Sequence, residues 1–236
     1  MHAGSEKVKR ALLKIKNELR LNIQMEIIDQ ALAYVKEHFE REYSGHDYFH
    51  TLRVFNMATH IAKAEQADLE LVQLAALLHD VDDRKISPET YEQQTNARTF
   101  LAAHGVDEAT IEVICKMIRE VSFVGNESIT PETPEGKCVQ DADRLDAIGA
   151  IGIARAFAYG GNHHRLMYHP DIKPNLNMSR EEYVNSQSTT INHFYEKLFK
   201  LTAMMNTQTA REIAQAREAY MKEYVDEFLS EWDGEK

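Results

Sequence analysis

Apolar side chains spaced three and four residues apart recur along almost the whole chain, and this period restricts the fold more than any other feature. Val8, Ala11, Leu12, Ile15 and Leu19 share one face of a helix over residues 5–21, and Ile27, Ile28, Ala31, Leu32, Val35 and Phe39 do the same over 24–41. The stripe returns in Val54, Met57, Ala58 and Ile61, and then in the run Leu74-Ala75-Ala76-Leu77-Leu78. Spacing of this kind buries one side of a helix, whereas a half-buried strand would alternate with period two. Only 10 Gly and 5 Pro interrupt 236 residues, and the β-branched and aromatic runs of a sheet protein are scarce. The expected fold is all-α, a single multi-helix domain over residues 1–236.

Local signals place the elements. Asp68 caps a helix over Leu69–His79, and Ser87 followed by Pro88 opens another that ends before Gly105. Asp107 opens a helix through Val121. Phe123 to Lys137, with two prolines, reads as a loop, and Gly136 to Ala158 as an apolar helical run. Residues 159–177 read as irregular and polar. Ser179 and Glu182 have capping-box spacing and open a helix to Met205, with a break near 186–190. Thr207 starts the last helix, which ends near Trp232.

The formal net charge is −11, which argues against a general nucleic-acid binder, since that requires a basic face. Any phosphate-bearing substrate must then meet a local positive site. Cys115 and Cys138 are far apart and not in metal-ligand spacing, so both are expected to be reduced in a cytoplasmic protein. The charged N-terminal stretch has no apolar signal core, and no apolar run approaches the length of a membrane span.

Three stretches carry chemistry. His79-Asp80 stands at the exit of the apolar run, where a helix end holds two potential ligands rigidly. His46 and His50 lie one helical turn apart, with His50 at the start of a buried stripe. Asp141, Asp143 and Asp146 are embedded in an apolar run where unpaired carboxylates are costly to bury. Asp143 and Asp146 share a face, and a nearby cation would make their burial tolerable.

The order is His…His-Asp…Asp on helices. With the segments Gly45-His46-Asp47-Tyr48-Phe49-His50-Thr51-Leu52-Arg53-Val54, Leu77-Leu78-His79-Asp80 and Asp141-Ala142-Asp143-Arg144-Leu145-Asp146, it resembles the HD-domain metal-dependent phosphohydrolase superfamily. Within that superfamily it is most like the small stand-alone bacterial branch. The resemblance implies an HD-domain bundle with its motif core over 24–160 and C-terminal helices over 179–233 completing the pocket. It puts His50, His79, Asp80 and Asp143 on the ligands of one divalent metal ion (Mn, Mg, Fe or Zn), with Asp146 as the alternate fourth ligand. It implies a water attacking phosphorus, with Asp83 and His46 as catalytic side chains. Arg53, Lys85, Arg144, His164, Arg165, His193 and Lys197 are the expected donors to phosphate, and Asp146 a further residue at the substrate. The substrate would be a small phosphorylated molecule, a nucleotide above all, with no nucleic-acid or membrane partner. Three rival readings stand beside it. One is a zinc protease using His46 and His50, whose spacing mimics His-Glu-x-x-His with a shorter acid. The others are an oxygenase on the same scaffold and a non-catalytic metal- or nucleotide-binding module.

Overall fold

The computed structural model describes residues 25–40, 47–84, 86–121, 129–177 and 188–236, and every regular element among them is helical. We number these α1 (residues 25–38), α2 (Tyr48–Glu65), α3 (Leu69–Leu78), α4 (Thr95–Ala103), α5 (Glu108–Val121), α6 (Pro134–Asp146) and α7 (Gly149–Asn162). α8 begins as an α turn, Thr190–His193, continues as a π-helical stretch, Phe194–Leu198, and closes with Phe199–Leu201. α9 is Gln208–Trp232. The helix expected over residues 5–21 and the Ser179–Glu182 capping box lie outside the described residues.

α3 is the centre of the core. Val72 and Leu74 through Leu78 are all buried, so this helix is covered on every side rather than along one stripe. It packs between α2, α5 and α6, with α2 lying along α6 and α9 along α7. Each leucine taken fully out of water here contributes roughly 2 kcal/mol. Capping agrees with the sequence in several places: Asp68 accepts the N–H groups of Glu70 and Leu71 at 2.9 and 3.3 Å, and Thr207 accepts that of Ala210 at 3.2 Å.

The structure corrects four boundaries. The helix expected from Ser87 begins only at Thr95, after a series of turns. Asp82 supplies the reason: its buried carboxylate accepts the N–H groups of Asn96 and Ala97 at 3.0 and 2.9 Å and so captures the first turn of α4. α6 begins inside the expected loop, because Thr133 accepts the N–H of Gly136 at 3.0 Å and Pro134 presets the first helical φ. The apolar run over 136–158 is two helices, not one. Gly149 adopts φ +76°, and a Cβ there would stand 2.9 Å from Cγ of Arg217; the chain turns back at this point. α7 then continues to Asn162, past the expected start of irregular chain.

Candidate metal centre

The chain brings four ligand-type side chains together from helix ends. His50 is the third residue of α2, His79 and Asp80 directly follow α3, and Asp143 lies in the last turn of α6. Nε2 of His50 lies 3.3 Å from Nε2 of His79, 3.3 Å from Oδ2 of Asp80 and 3.4 Å from Oδ1 of Asp143. Nε2 of His79 lies 3.2 Å from Asp80 Oδ2 and 3.9 Å from Asp143 Oδ1. Among the described residues, His50, His79 and Asp80 form a buried set in which one ligand atom of each lies within 4.8 Å of the others.

The hydrogen bonds behind the rings fix what these atoms present. Nδ1 of His79 donates to the Ala76 carbonyl at 2.8 Å, and Nδ1 of His50 donates to Oδ2 of Asp146 at 2.7 Å. In each neutral ring the proton therefore sits on Nδ1, and Nε2 turns a lone pair inward. Two such lone pairs and two carboxylate oxygens then face one another at 3.2–3.9 Å, which is repulsive unless a positive charge lies between them. Ligands held about 2.1 Å from one divalent cation stand roughly 3.0 Å apart in octahedral and 3.4 Å apart in tetrahedral geometry. Four of the five spacings, 3.2–3.4 Å, fit that requirement; His79 to Asp143, at 3.9 Å, is wider. Without a cation, protons take its place. Burial disfavours the charged form of His79, but Asp80 and Asp143 outweigh it and push the imidazole up to about 9. Burial likewise opposes charge on His50, and Asp146 and Asp80 raise it nonetheless.

Asp146 stands behind this set, not in it. Besides His50, its carboxylate accepts from Arg53 Nε at 2.6 Å and Nη2 at 3.0 Å, and from Arg155 Nη1 at 2.6 Å. Burial would raise this carboxyl, but hydrogen bonds from His50 and Arg53 hold it well below the usual carboxylate range. Its position one turn past Asp143 turns it toward the far edge of the His50 ring, where it fixes ring and tautomer. Arg53 shares the face of His50, as its spacing implies, and uses two of its nitrogens on Asp146. Arg144 is turned to the connection before α9, where its Nη1 donates to the Met204 carbonyl at 2.5 Å.

Asp83 is half-buried in the turn after α3, its backbone N–H on the Asp80 carbonyl at 3.0 Å and its own carbonyl accepting from Ile86 and Ser87. His193 and Lys197 are half-buried at the start of and within the π-helical stretch of α8. Burial, then the charges of Lys197 and Arg165, push His193 down to about 3, so a neutral imidazole sits close to two cations. The Arg165 guanidinium lies 5.4 Å over the Tyr159 ring, and His164 is exposed with φ 55°. His46 and Lys85 lie outside the described residues. Asp47, the acid of the His46–His50 motif, is the N-cap of α2 and accepts the backbone N–H of His50 at 2.7 Å.

Sequence reasoning passed over Arg155 and Arg217. Arg217 Nη1 reaches the Leu145 carbonyl at 2.5 Å, and Arg155 bonds both the carboxylate and, at 3.2 Å, the carbonyl of Asp146. The one available signal was Gly149 inside an apolar run, a mark of a possible turn.

The order His, His-Asp, Asp by which the sequence resembles HD domains is thus carried on converging helix ends, and the model of the HD domain family matches residues 47–148. YpgQ of Bacillus subtilis is 36% identical over 199 residues, covering 84% of this chain and 89% of YpgQ. The chain belongs to the HD-domain family. Among solved structures, a Lactobacillus plantarum protein superposes with TM-score 0.78 at 42% identity over 89% of this chain and 98% of that one. An HD-superfamily hydrolase from Bacillus thuringiensis gives 0.72 at 38% identity, over 89% and 98%. YpgQ in complex with ADP gives 0.71 at 33% identity, over 89% and 96%.

Proposed function

We propose that this chain is a divalent-metal-dependent phosphohydrolase acting on a nucleotide or a related phosphate ester or anhydride. The carrying observation is the inward convergence of His50 Nε2, His79 Nε2, Asp80 and Asp143 on a space of cation size. Nitrogen and carboxylate donors suit Mn, Mg, Fe or Zn; such an ion, when bound, supplies an acidified water and a Lewis acid for a phosphoryl oxygen. The similarity to an HD-superfamily hydrolase supports hydrolysis, and the ADP complex of YpgQ supports a nucleotide.

In this reading His50, His79, Asp80 and Asp143 hold the ion, and Asp146 keeps His50 in its ligating tautomer. Asp83, one turn beyond His79, orients the attacking water and accepts its proton. Arg165 and Lys197, with the neutral His193 between their charges, and His164 donate to the phosphate oxygens where charge builds. His46 and Lys85 flank the ligands in sequence and take the same duty. We further read residues 1–236 as one HD-type domain whose C-terminal helices, 179–233, close the pocket; Arg217 on α9 bonding the end of α6 favours this.

The test is a screen of nucleoside mono-, di- and triphosphates with Mn²⁺, Mg²⁺ and Co²⁺, products identified by mass. Metal-dependent release of phosphate or pyrophosphate is expected, and Asp83→Asn should retain metal while losing most turnover. Nucleotide binding without turnover under any of these ions would make the chain a binding module instead.

A further inference from the structure

The end of α6 carries one ligand and the support of another, and it is held by a residue from a different helix. Helices leave their last carbonyls without internal partners. At α6 the Arg144 and Leu145 carbonyls accept from the N–H groups of Ala147 and Ile148, and two guanidiniums add to them: Arg217 Nη1 on the Leu145 carbonyl at 2.5 Å and Arg155 Nη1 on the Asp146 carbonyl at 3.2 Å. The same Arg155 nitrogen donates to Asp146 Oδ2 at 2.6 Å, the oxygen that receives the His50 Nδ1 proton at 2.7 Å. Arg155 therefore touches main chain and side chain of one residue, which stands three positions after Asp143 and against His50. Its place depends on the turn at Gly149, whose φ of +76° folds α7 back so that its second turn meets the end of its predecessor.

We propose that Arg155 is a positioning residue for the metal centre: by clamping Asp146 it sets both the ring of His50 and the last turn of α6 that presents Asp143. This rests on the metal centre proposed above. Arg53, bonded to the same carboxylate from α2 at 2.6 and 3.0 Å, fixes Asp146 from the ligand's own helix. Arg155 differs in coming from outside the three ligand-bearing elements, so it is the contact that couples α7 to the ligand set. Partners of this kind commonly govern metal affinity about as strongly as activity.

The experiment uses the full chain stripped with chelator and titrated with Mn²⁺, free ion being read by electron paramagnetic resonance. Arg155→Ala should weaken Mn²⁺ binding about 10- to 100-fold while the metal-free protein still melts cooperatively, and added guanidinium ion should restore part of the loss. Asp146→Asn should weaken binding comparably, and the double variant should lose no more than the worse single one, because the two act as one device. Wild-type affinity in Arg155→Ala, or fully additive losses in the double variant, would overturn the inference. If Arg155→Ala has no cooperative melt, Arg155→Met is read in its place; it keeps the apolar stem but neither the donors nor the charge, and wild-type affinity there overturns the inference equally. A wild-type chain that binds no Mn²⁺ would overturn the metal centre itself, and this inference with it.

Discussion

The two faces of α6 use the same residue types for opposite ends. Asp143 and Asp146 stand three residues apart on the face toward α2 and α3, one among the inward-facing His50, His79 and Asp80 and the other behind His50. Asp141 and Arg144, also three apart, face the start of α9. Asp141 is fully buried and accepts from the backbone N–H of Asn206 at 2.9 Å and of Thr207 at 2.8 Å, and from the Thr207 hydroxyl at 2.8 Å. Burial raises its carboxyl even against these donors. Around Asp143 the ligand-type atoms of His50 and His79 stand 3.4 and 3.9 Å from its carboxylate; around Asp141 every carboxylate oxygen meets a donor. A buried carboxylate with matched donors, such as Asp141 or Asp146, is structure; a half-buried one crowded by imidazole nitrogens and a second carboxylate, such as Asp143, suits a cation.

Substitutions on the two faces should separate cleanly. Asp143→Ala should leave folding nearly intact yet reduce metal-dependent turnover by about 1000-fold, roughly 4 kcal/mol of transition-state stabilisation; steady-state kinetics beside a thermal melt reads both. Asp141→Ala should do the reverse. It strands the buried donors of Asn206 and Thr207 and should lower stability by about 3 kcal/mol in chemical denaturation, with Mn²⁺ affinity unchanged below the transition. Equal effects from the two aspartates would erase the distinction.

A pH series sharpens it. His79 is raised in the folded, metal-free chain to about 9, so its protonated form stabilises that state. This contribution is complete below the unfolded value near 6.5 and is lost as pH rises through about 9. A Mn²⁺ ion at the proposed centre would require neutral imidazole, so the gap in Tm between loaded and chelated protein should widen from pH 6.5 to 9. Asp143→Ala should blunt this widening, and Asp141→Asn should leave it intact. The smallest effect belongs to Arg144→Met. Arg144 has a buried Nε without a partner among the described residues but an Nη1 that serves the Met204 carbonyl, so an apolar replacement relieves one stranded donor and strands one acceptor; it should lower stability by about 1–2 kcal/mol and leave turnover unchanged. A tenfold fall in turnover would return Arg144 to the substrate.

Helical period and caps were legible where the decision is local. The extents of α2, α3, α5 and α9 follow from apolar spacing, Asp68, Asp107 and Thr207. The His…His-Asp…Asp order likewise singled out residues that meet in space. What could not be read depends on contacts between distant segments. Asp82 looks like one of several charges in a turn, and only the approach of Asn96 makes it the cap that delays α4. Asp141, Asp143 and Asp146 are the same residue type within six positions, and their fates depend on which helix lies against each face. Arg155 and Arg217 are ordinary helix-surface arginines until Gly149 reverses the chain. Comparison with the same types in sequence cannot supply these partners, because the pairing is created by packing.

The proposed metal centre requires one cation shared by residues from three elements. A crystal of the full chain soaked in Mn²⁺, with anomalous diffraction at the manganese edge, addresses it most directly. The expected result is a single strong peak about 2.0–2.4 Å from His50 Nε2, His79 Nε2, Asp80 and Asp143, with Asp146 behind His50 and off the metal. A peak held by His50 without His79 and Asp80, or no peak among these four side chains, would contradict it.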